Sequence, residues 1–282
     1  PFLTFIVTLD TPVVIAEEGG ERGLDVVVAG LTTEVETVKM ERKQTGLQAA
    51  VHPLASRRLF GLPAAELARM SLEGDDVLGR TAPRLRERLA EAADWDERFA
   101  IFACEMGLAV DLMSASSRRG RPYVRLPGLR STARRRADLR STAIAGPRPE
   151  VVEAWRLLAA TRGRIRIGEL AERVYLSRRR LSTLFAAELG ITPKEAARTM
   201  RFTHAVTRIG EVVRGGGAAP GGPARARTLD LARVAAECGY ADQSHLDREF
   251  RAFAGTSPSG WIAEEFPNIQ AGGHRYARDW EV

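Results

Sequence analysis

The 282 residues predict two folded parts of different class. The first is an α+β N-terminal domain, a small and open or incomplete sheet followed by helices. The second is an all-α C-terminal domain of two helix-turn-helix units. Three observations predict this. Short β-branched runs, broken by turn residues, occur only near the start of the chain. The apolar period becomes helical from about residue 59. A helix, a turn and a second helix then recur in register in the back half.

In chain order, "LTFIVTL" (3–9), "PVVIA" (12–16), "DVVVAGL" (25–31) and "TEVETVKM" (33–40) read as strands separated by Gly, Pro or charged turns. From "LFGLPAAELARM" the spacing is helical, with Pro63 suited to a first helical position. Further helices fit "APRLRERLAEA" and "DWDERFAIFACEMGLAVDLM". Strands first and helices after is an α+β order. The expected boundaries are an N-terminal domain over 1–112, an Arg-rich linker over 113–149, the double helix-turn-helix over 150–266 and a tail over 267–282. Within the helical part, "RGGGAAPGGPARAR" (214–227) is too rich in Gly and Pro for helix and reads as a flexible loop.

Charge is divided unevenly. The chain carries a net charge of +6. Residues 1–111 hold 12 basic and 19 acidic side chains, residues 112–148 ten Arg and one Asp, and residues 149–282 20 basic and 16 acidic. An acidic front joined to a basic back points to a polyanion partner for the back alone. No apolar run approaches the roughly 18 residues of a membrane span, and no signal peptide is present, so no membrane and a cytoplasmic setting are expected. The chain opens at Pro1 rather than Met, which leaves room for an upstream piece. Cys104 and Cys238 both lie in apolar helical sequence and read as reduced thiols.

The repeat carries most of the information. "ELAERVYLSRRRLSTLFAAELGITP" (169–193) aligns with the stretch ending "CGYADQSHLDREFRAFAGTSP" (238–258). Ala171 matches Ala235, Val174 matches Cys238, and Leu176 matches Tyr240. After one extra residue in the second copy, Ser177 matches Asp242, Leu181 matches Leu246, and Phe185 matches Phe250. Gly190, Thr192 and Pro193 match Gly255, Ser257 and Pro258. Each copy makes physical sense. A small residue at the crossing point lets two helices approach closely. Ser177 and Asp242 are good N-caps, and Gly190 and Gly255 are natural C′ residues. Leu181, Leu184, Phe185 and Leu189 form one apolar stripe, and Leu246, Phe250 and Phe253 the other. The open faces carry Arg178, Arg179, Ser182 and Thr183 in the first copy, and Gln243, Ser244, Asp247 and Arg248 in the second. Such side chains on a capped helix are equipped to read base edges in a major groove.

"AAECGYADQSHLDREFRAFAGTSPSGW" resembles the second helix-turn-helix signature of the AraC/XylS family of bacterial transcription regulators. Residues 155 to about 266 cover that family's DNA-binding domain. The resemblance implies two helix-turn-helix units joined by a long helix, here "PKEAARTMRFTHAVTRIGEV". By position it makes Arg179, Ser182 and Thr183, then Gln243, Ser244, Asp247 and Arg248, the base-reading residues. On less sequence, "VVAGL" and "FGLPAAELA" resemble the N-terminal domain of actinobacterial members, often cupin-like. Double-stranded DNA is the implied partner. A small-molecule effector at the front domain and RNA polymerase are further partners it allows; no cofactor is implied. Three departures stand out: Tyr175 in place of the usual turn Gly, an acidic Asp247 on the reading face, and the long loop.

Alternatives stand beside these readings. Arg178, Arg179 and Arg180 could be a solvated helix start, yet three cations there oppose the helix dipole, which favours DNA contact. His245 reads as a packing or capping residue, and Trp261 and Phe266 as core. The Arg-rich segment 118–148 reads as linker, against a rival phosphate contact. No pair among His52, His204, His245 and His274 has metal-ligand spacing, His52 reads as structural, and no Gly-rich phosphate loop, paired-Cys motif or nucleophile elbow appears. The sequence therefore predicts a DNA-binding regulator and no enzyme. Two rivals remain: a cupin-type enzyme fused to a DNA-binding module, and an interaction-only member with weak DNA binding.

Overall fold

The computed structural model describes residues 1–17, 20–32, 38–39, 44–68, 71–107, 111–112, 124–125, 146–215 and 229–270. The chain divides into two compact units. One comprises Phe2–Gly30 and Thr37–Pro147; the other comprises Arg148–Val282 with Leu31–Glu36 and Pro1.

The first unit contains two antiparallel sheets. Strands β1 (Leu3–Thr8), β4 (Val26–Ala29), β6 (Gly46–Val51) and β7 (Ser71–Glu73) form one, in the order β6-β1-β4-β7. Strands β2 (Val13–Glu17), β3 (Gly20–Leu24) and β5 (Val38–Lys39) form the other, in the order β3-β2-β5. Period-2 alternation decides which side chains turn inward. Leu3, Phe5 and Val7 are fully buried on one face of β1. On that face Phe5 packs edge-on to Phe60 of α1 (Ser56–Phe60) and tilted against Phe102 of α4 (Trp95–Glu105). The other face meets the second sheet through Val27, Val13, Ile15 and Leu24, flanked by Ile6 and Ala29. A strand covered on both faces explains why Val26, Val27 and Val28 are an unbroken apolar run. Helices α2 (Gly74–Leu78) and α3 (Thr81–Glu91) complete the unit, and Gly74 is needed there because a Cβ would meet Val26 Cγ1 at 2.3 Å.

Several expectations for this unit change. Strands β3, β6 and β7 were not legible as apolar runs. The helix expected from "LFGLPAAELARM" is broken. Gly61 ends α1 with a left-handed φ of 76°, Pro63 is extended, and only the 3-10 turn Ala64–Leu67 follows. The helix expected over 94–113 stops at Glu105, before Gly107 at φ 63°. Beyond it Asp111–Leu112 (β8) pairs with Val124–Arg125 (β9). Apart from β9 and residues 146–149, the 113–149 linker lies outside the described residues. So do residues 216–227 of the Gly/Pro loop, the tail beyond residue 270 and most of the strand expected over 33–40.

The second unit is helical: α5 (Pro149–Ala160), α6 (Ile167–Arg173), α7 (Arg178–Leu189), α8 (Pro193–Gly215), α9 (Leu231–Glu237), α10 (Gln243–Ala254) and α11 (Pro258–Gln270). The long α8 is shared. Its first half buries Ala196, Ala197 and Met200; its second half enters a core with Val234, Cys238, Tyr240, Leu246, Phe250 and Trp261. Leu181, Leu184, Phe185 and Leu189 are buried as the apolar stripe predicts. Trp261 is core, while the Phe266 side chain lies outside the described residues. Both cysteines are free; burial pushes the Cys238 thiol up to about 12. Among the described residues no helix is long and apolar enough to cross a membrane, and no group of three His, Cys, Asp or Glu is placed to hold a metal ion.

Candidate nucleic-acid interface

Two copies of one local architecture follow each other in sequence: α6, a turn and α7; then α9, a turn and α10. The helix lengths match, seven then twelve residues in each copy. The turns match bond for bond. Tyr175 N–H donates to Glu172 O and Leu176 N–H to Ala171 O; Gly239 N–H donates to Ala236 O and Tyr240 N–H to Ala235 O. Each is a Schellman ending, whose C′ residue must take positive φ. Gly239 does so at 80° without strain, whereas Tyr175 is forced to 57°. The Tyr175 side chain is 95% exposed, so packing gives nothing back for that conformation.

The helices that follow are capped as their sequence predicts. Ser177 Oγ accepts from Arg180 N at 3.2 Å, and Asp242 Oδ1 accepts from His245 N at 2.7 Å. A cap of this kind contributes about 1 kcal/mol. His245 is itself part of the cap, its Nδ1 accepting from Ala241 N, with its ring edge-on to Tyr240. Gly190 and Gly255 end the helices at φ 78° and 70°. Thr192 and Glu195 then form a reciprocal capping box that starts α8, and Ser257 accepts from Gly260 N to start α11. The repeated Gly-x-[Ser/Thr]-Pro thus ends one helix and begins the next.

On the open faces Arg178, Arg179, Thr183, Gln243, Ser244 and Arg248 are exposed. Ser182 and Asp247, equivalent positions of the two copies, are half-buried at the margin of those faces, and Asp247 Oδ1 is buried without a partner. The Arg178 guanidinium lies beside Gly168 in the first turn of α6. Thr183 donates its hydroxyl hydrogen to Arg179 O at 3.0 Å, leaving its methyl and an acceptor lone pair to present.

The arginines sort into two sets. Arg156, Arg173, Arg208 and Arg233 are held by Glu153, Glu169, Glu211 and Glu237. Arg178, Arg179, Arg180 and Arg248 have no carboxylate partner among the described residues, and the first three stand at a helix N-terminus, where the dipole already disfavours them. Exposed cations without carboxylate partners can each take an anion. The front unit has the opposite character. A groove of about 560 Å³ there is lined by Asp25, Glu73, Asp75, Glu87 and Glu91, its Arg86 already bound to Asp25 at 3.2 Å.

Sequence reasoning missed two ties in this region. Arg198 of α8 binds the buried Glu249 of α10 through Nη2 at 2.8 Å and Nε at 3.2 Å, and lies over the Phe253 ring. Arg162, after α5, places Nη1 2.8 Å from His204 Nε2 on α8.

No family model and no curated protein matches this chain in sequence. Among solved structures, the chain is similar to ToxT from Vibrio cholerae. The apo form of a point variant from strain SCE256 is 10% identical, with 93% of this chain and 89% of that chain covered and a TM-score of 0.47. Unsaturated fatty acid bound wild-type ToxT from the same strain is 9% identical, over 93% and 86%, at 0.43. ToxT from strain O395 is 10% identical, over 96% and 95%, at 0.43.

Proposed function

We propose that this chain is a sequence-specific DNA-binding transcription regulator. In this reading residues 150–266 are the DNA-binding domain, and α6–α7 and α9–α10 are its two helix-turn-helix units. Helices α7 and α10 enter successive major grooves, about 34 Å apart along the duplex. Arg179, Thr183, Gln243, Ser244 and Arg248 face base edges, while Ser182 and Asp247 act from the margin. Arg178 and the capped helix N-termini hold phosphates, which fix register without reading sequence. Residues 1–112 form the sensing or association domain, and 113–149 the linker.

One observation carries the reading. Two capped helices of equal length, each following the same turn, present exposed polar faces whose cations have no carboxylate partners among the described residues, and one long helix joins the two units. A fold under selection for stability alone would pair or dilute those charges. The test is selection of bound duplexes by the full chain from a random pool. The expected result is a motif of two short blocks separated by about one helical turn. A chain that enriches no sequence and shifts no duplex at low salt overturns the reading.

A further inference from the structure

The turn between α5 and α6, "TRGRIR" (161–166), is not part of either reading face, yet it carries Arg162, Arg164 and Arg166, all exposed. Its geometry is over-determined. Gly163 N–H donates to Leu158 O and Arg162 N–H to Ala159 O, another Schellman ending. Arg162 occupies its C′ position at φ 53°, where a non-glycine residue is strained. Gly163 follows at φ 71°, pressed so close to α8 that a Cβ would meet Ala197 O at 2.2 Å. Arg201 of α8 donates through Nη1 to Gly163 O at 2.5 Å.

Cations gather on this fixed turn without counter-charges. A guanidinium has no acceptor, so His204 accepts from Arg162 through an unprotonated Nε2. Burial and then the charges of Arg162 and Arg164 press the His204 pKa down to about 4, so the ring adds no charge of its own. Arg164 extends toward the turn between α9 and α10: a Cβ on Gly239, in that turn, would stand 3.0 Å from Arg164 Cγ and Cδ and 3.8 Å from Arg201 Cδ. Arg201 Nε is buried without a partner. Neither Arg162, Arg164 nor Arg201 has a carboxylate partner among the described residues. By contrast Arg208, further along α8, is held by Glu237 at 2.7 Å. Like-charge crowding opposes stability, and an anion bound against these guanidinium groups would offset it.

We propose that Arg162, Arg164 and Arg201 form a phosphate seat that grips the DNA backbone where the two helix-turn-helix units meet. The seat rests on the DNA-binding reading and adds to it. It supplies affinity independent of sequence and fixes the duplex at the junction, while α7 and α10 read bases on either side. His204 is a positioning residue that holds the Arg162 guanidinium.

The experiment compares the full-length protein with Arg162→Gly, Arg164→Gln and the control Arg156→Ala, whose arginine is paired with Glu153. Binding to a selected duplex and to an unrelated one is measured over a salt series, alongside thermal stability. Glycine suits φ 53°, so Arg162→Gly should melt no lower than the wild type. It should bind both duplexes several-fold more weakly by the same factor and keep the preferred motif. The slope of log K against log salt should flatten by about 0.9 for each phosphate that is no longer neutralised. Arg164→Gln should do likewise, and Arg156→Ala should change neither slope nor affinity. Wild-type affinity and slope in Arg162→Gly and Arg164→Gln, or a loss confined to the selected duplex, overturn the seat while leaving the DNA reading intact. A wild-type protein that binds no duplex overturns both.

Discussion

Arg198 and Glu249 lie 51 positions apart in sequence and are joined by three hydrogen bonds, the shortest 2.8 Å. The pair fastens α10 to the long helix α8, in the second turn of α8. The Glu249 side chain is 10% exposed and the Arg198 side chain 31%. The carboxylate holds the Arg198 guanidinium in its charged form. The placement of α10 against α8 depends on this joint.

Glu249→Ala should therefore lower stability on the order of 3 kcal/mol, because it strands a half-buried guanidinium. Chemical denaturation measures this. A change below about 0.5 kcal/mol, the size of an ordinary surface substitution, would show that the pair does not hold α10.

The two turns make opposite predictions. Tyr175→Gly relieves a left-handed conformation that costs roughly 1–2 kcal/mol in a non-glycine residue, and should raise the melting temperature. Gly239→Ala introduces the same strain and brings a Cβ within 3.0 Å of Arg164, so it should lower it. Shifts of the same sign in both variants contradict the Schellman assignment.

Capping predicts a matched pair of losses. Ser177→Ala and Asp242→Ala each remove one acceptor at a helix start and should each cost about 1 kcal/mol. Circular dichroism melts of the two variants check this, and a neutral outcome at either position would place that helix start elsewhere.

His204 predicts a pH dependence. Its folded pKa, about 4, is below the ordinary 6.5, so the unfolded chain takes up its proton first as pH falls. The stability held by the neutral ring is complete above about pH 6.5 and is lost as pH drops toward 4, and it is smaller than full linkage would give because the partly exposed ring is screened by solvent. His204→Gln removes that dependence. The difference in unfolding free energy between wild type and variant should change across about pH 6.5 to 4 and be flat above about pH 7. A flat difference throughout contradicts a half-buried neutral imidazole.

What was legible in the sequence follows from what is local. Ser177, Asp242, Gly190, Gly255 and the Gly-x-[Ser/Thr]-Pro ends act through neighbours a few residues away, so their roles could be read directly. Strand β4 was legible because both of its faces are covered and its valines run unbroken. Strands β3 and β6, "GERGL" and "GLQAAV", owe their form to pairing with β2 and β1, and their Gly, Glu and Gln residues hide the period. The helix read into "LFGLPAAELARM" had the right apolar spacing. Gly61 and Pro63, each favourable at a helix boundary, together outweighed it. Ser182 and Asp247 fall on the open face of a helical wheel, but neighbouring packing, which the wheel omits, half-buries them. The Arg198–Glu249 and Arg162–His204 ties join distant elements and leave no local pattern.

The central claim is that α7 and α10 read two separate stretches of one duplex. The direct measurement is selection from a random pool by the full chain and by Arg179→Ala and Gln243→Ala, with affinities for single-base variants of the selected site. The account predicts a two-block motif in the wild type. Arg179→Ala should lose discrimination of roughly 1–3 kcal/mol at a position in one block, and Gln243→Ala a similar amount in the other block, each leaving its neighbour's block unchanged. An unchanged motif and affinity in both variants, or both losses falling on the same base pair, would contradict it.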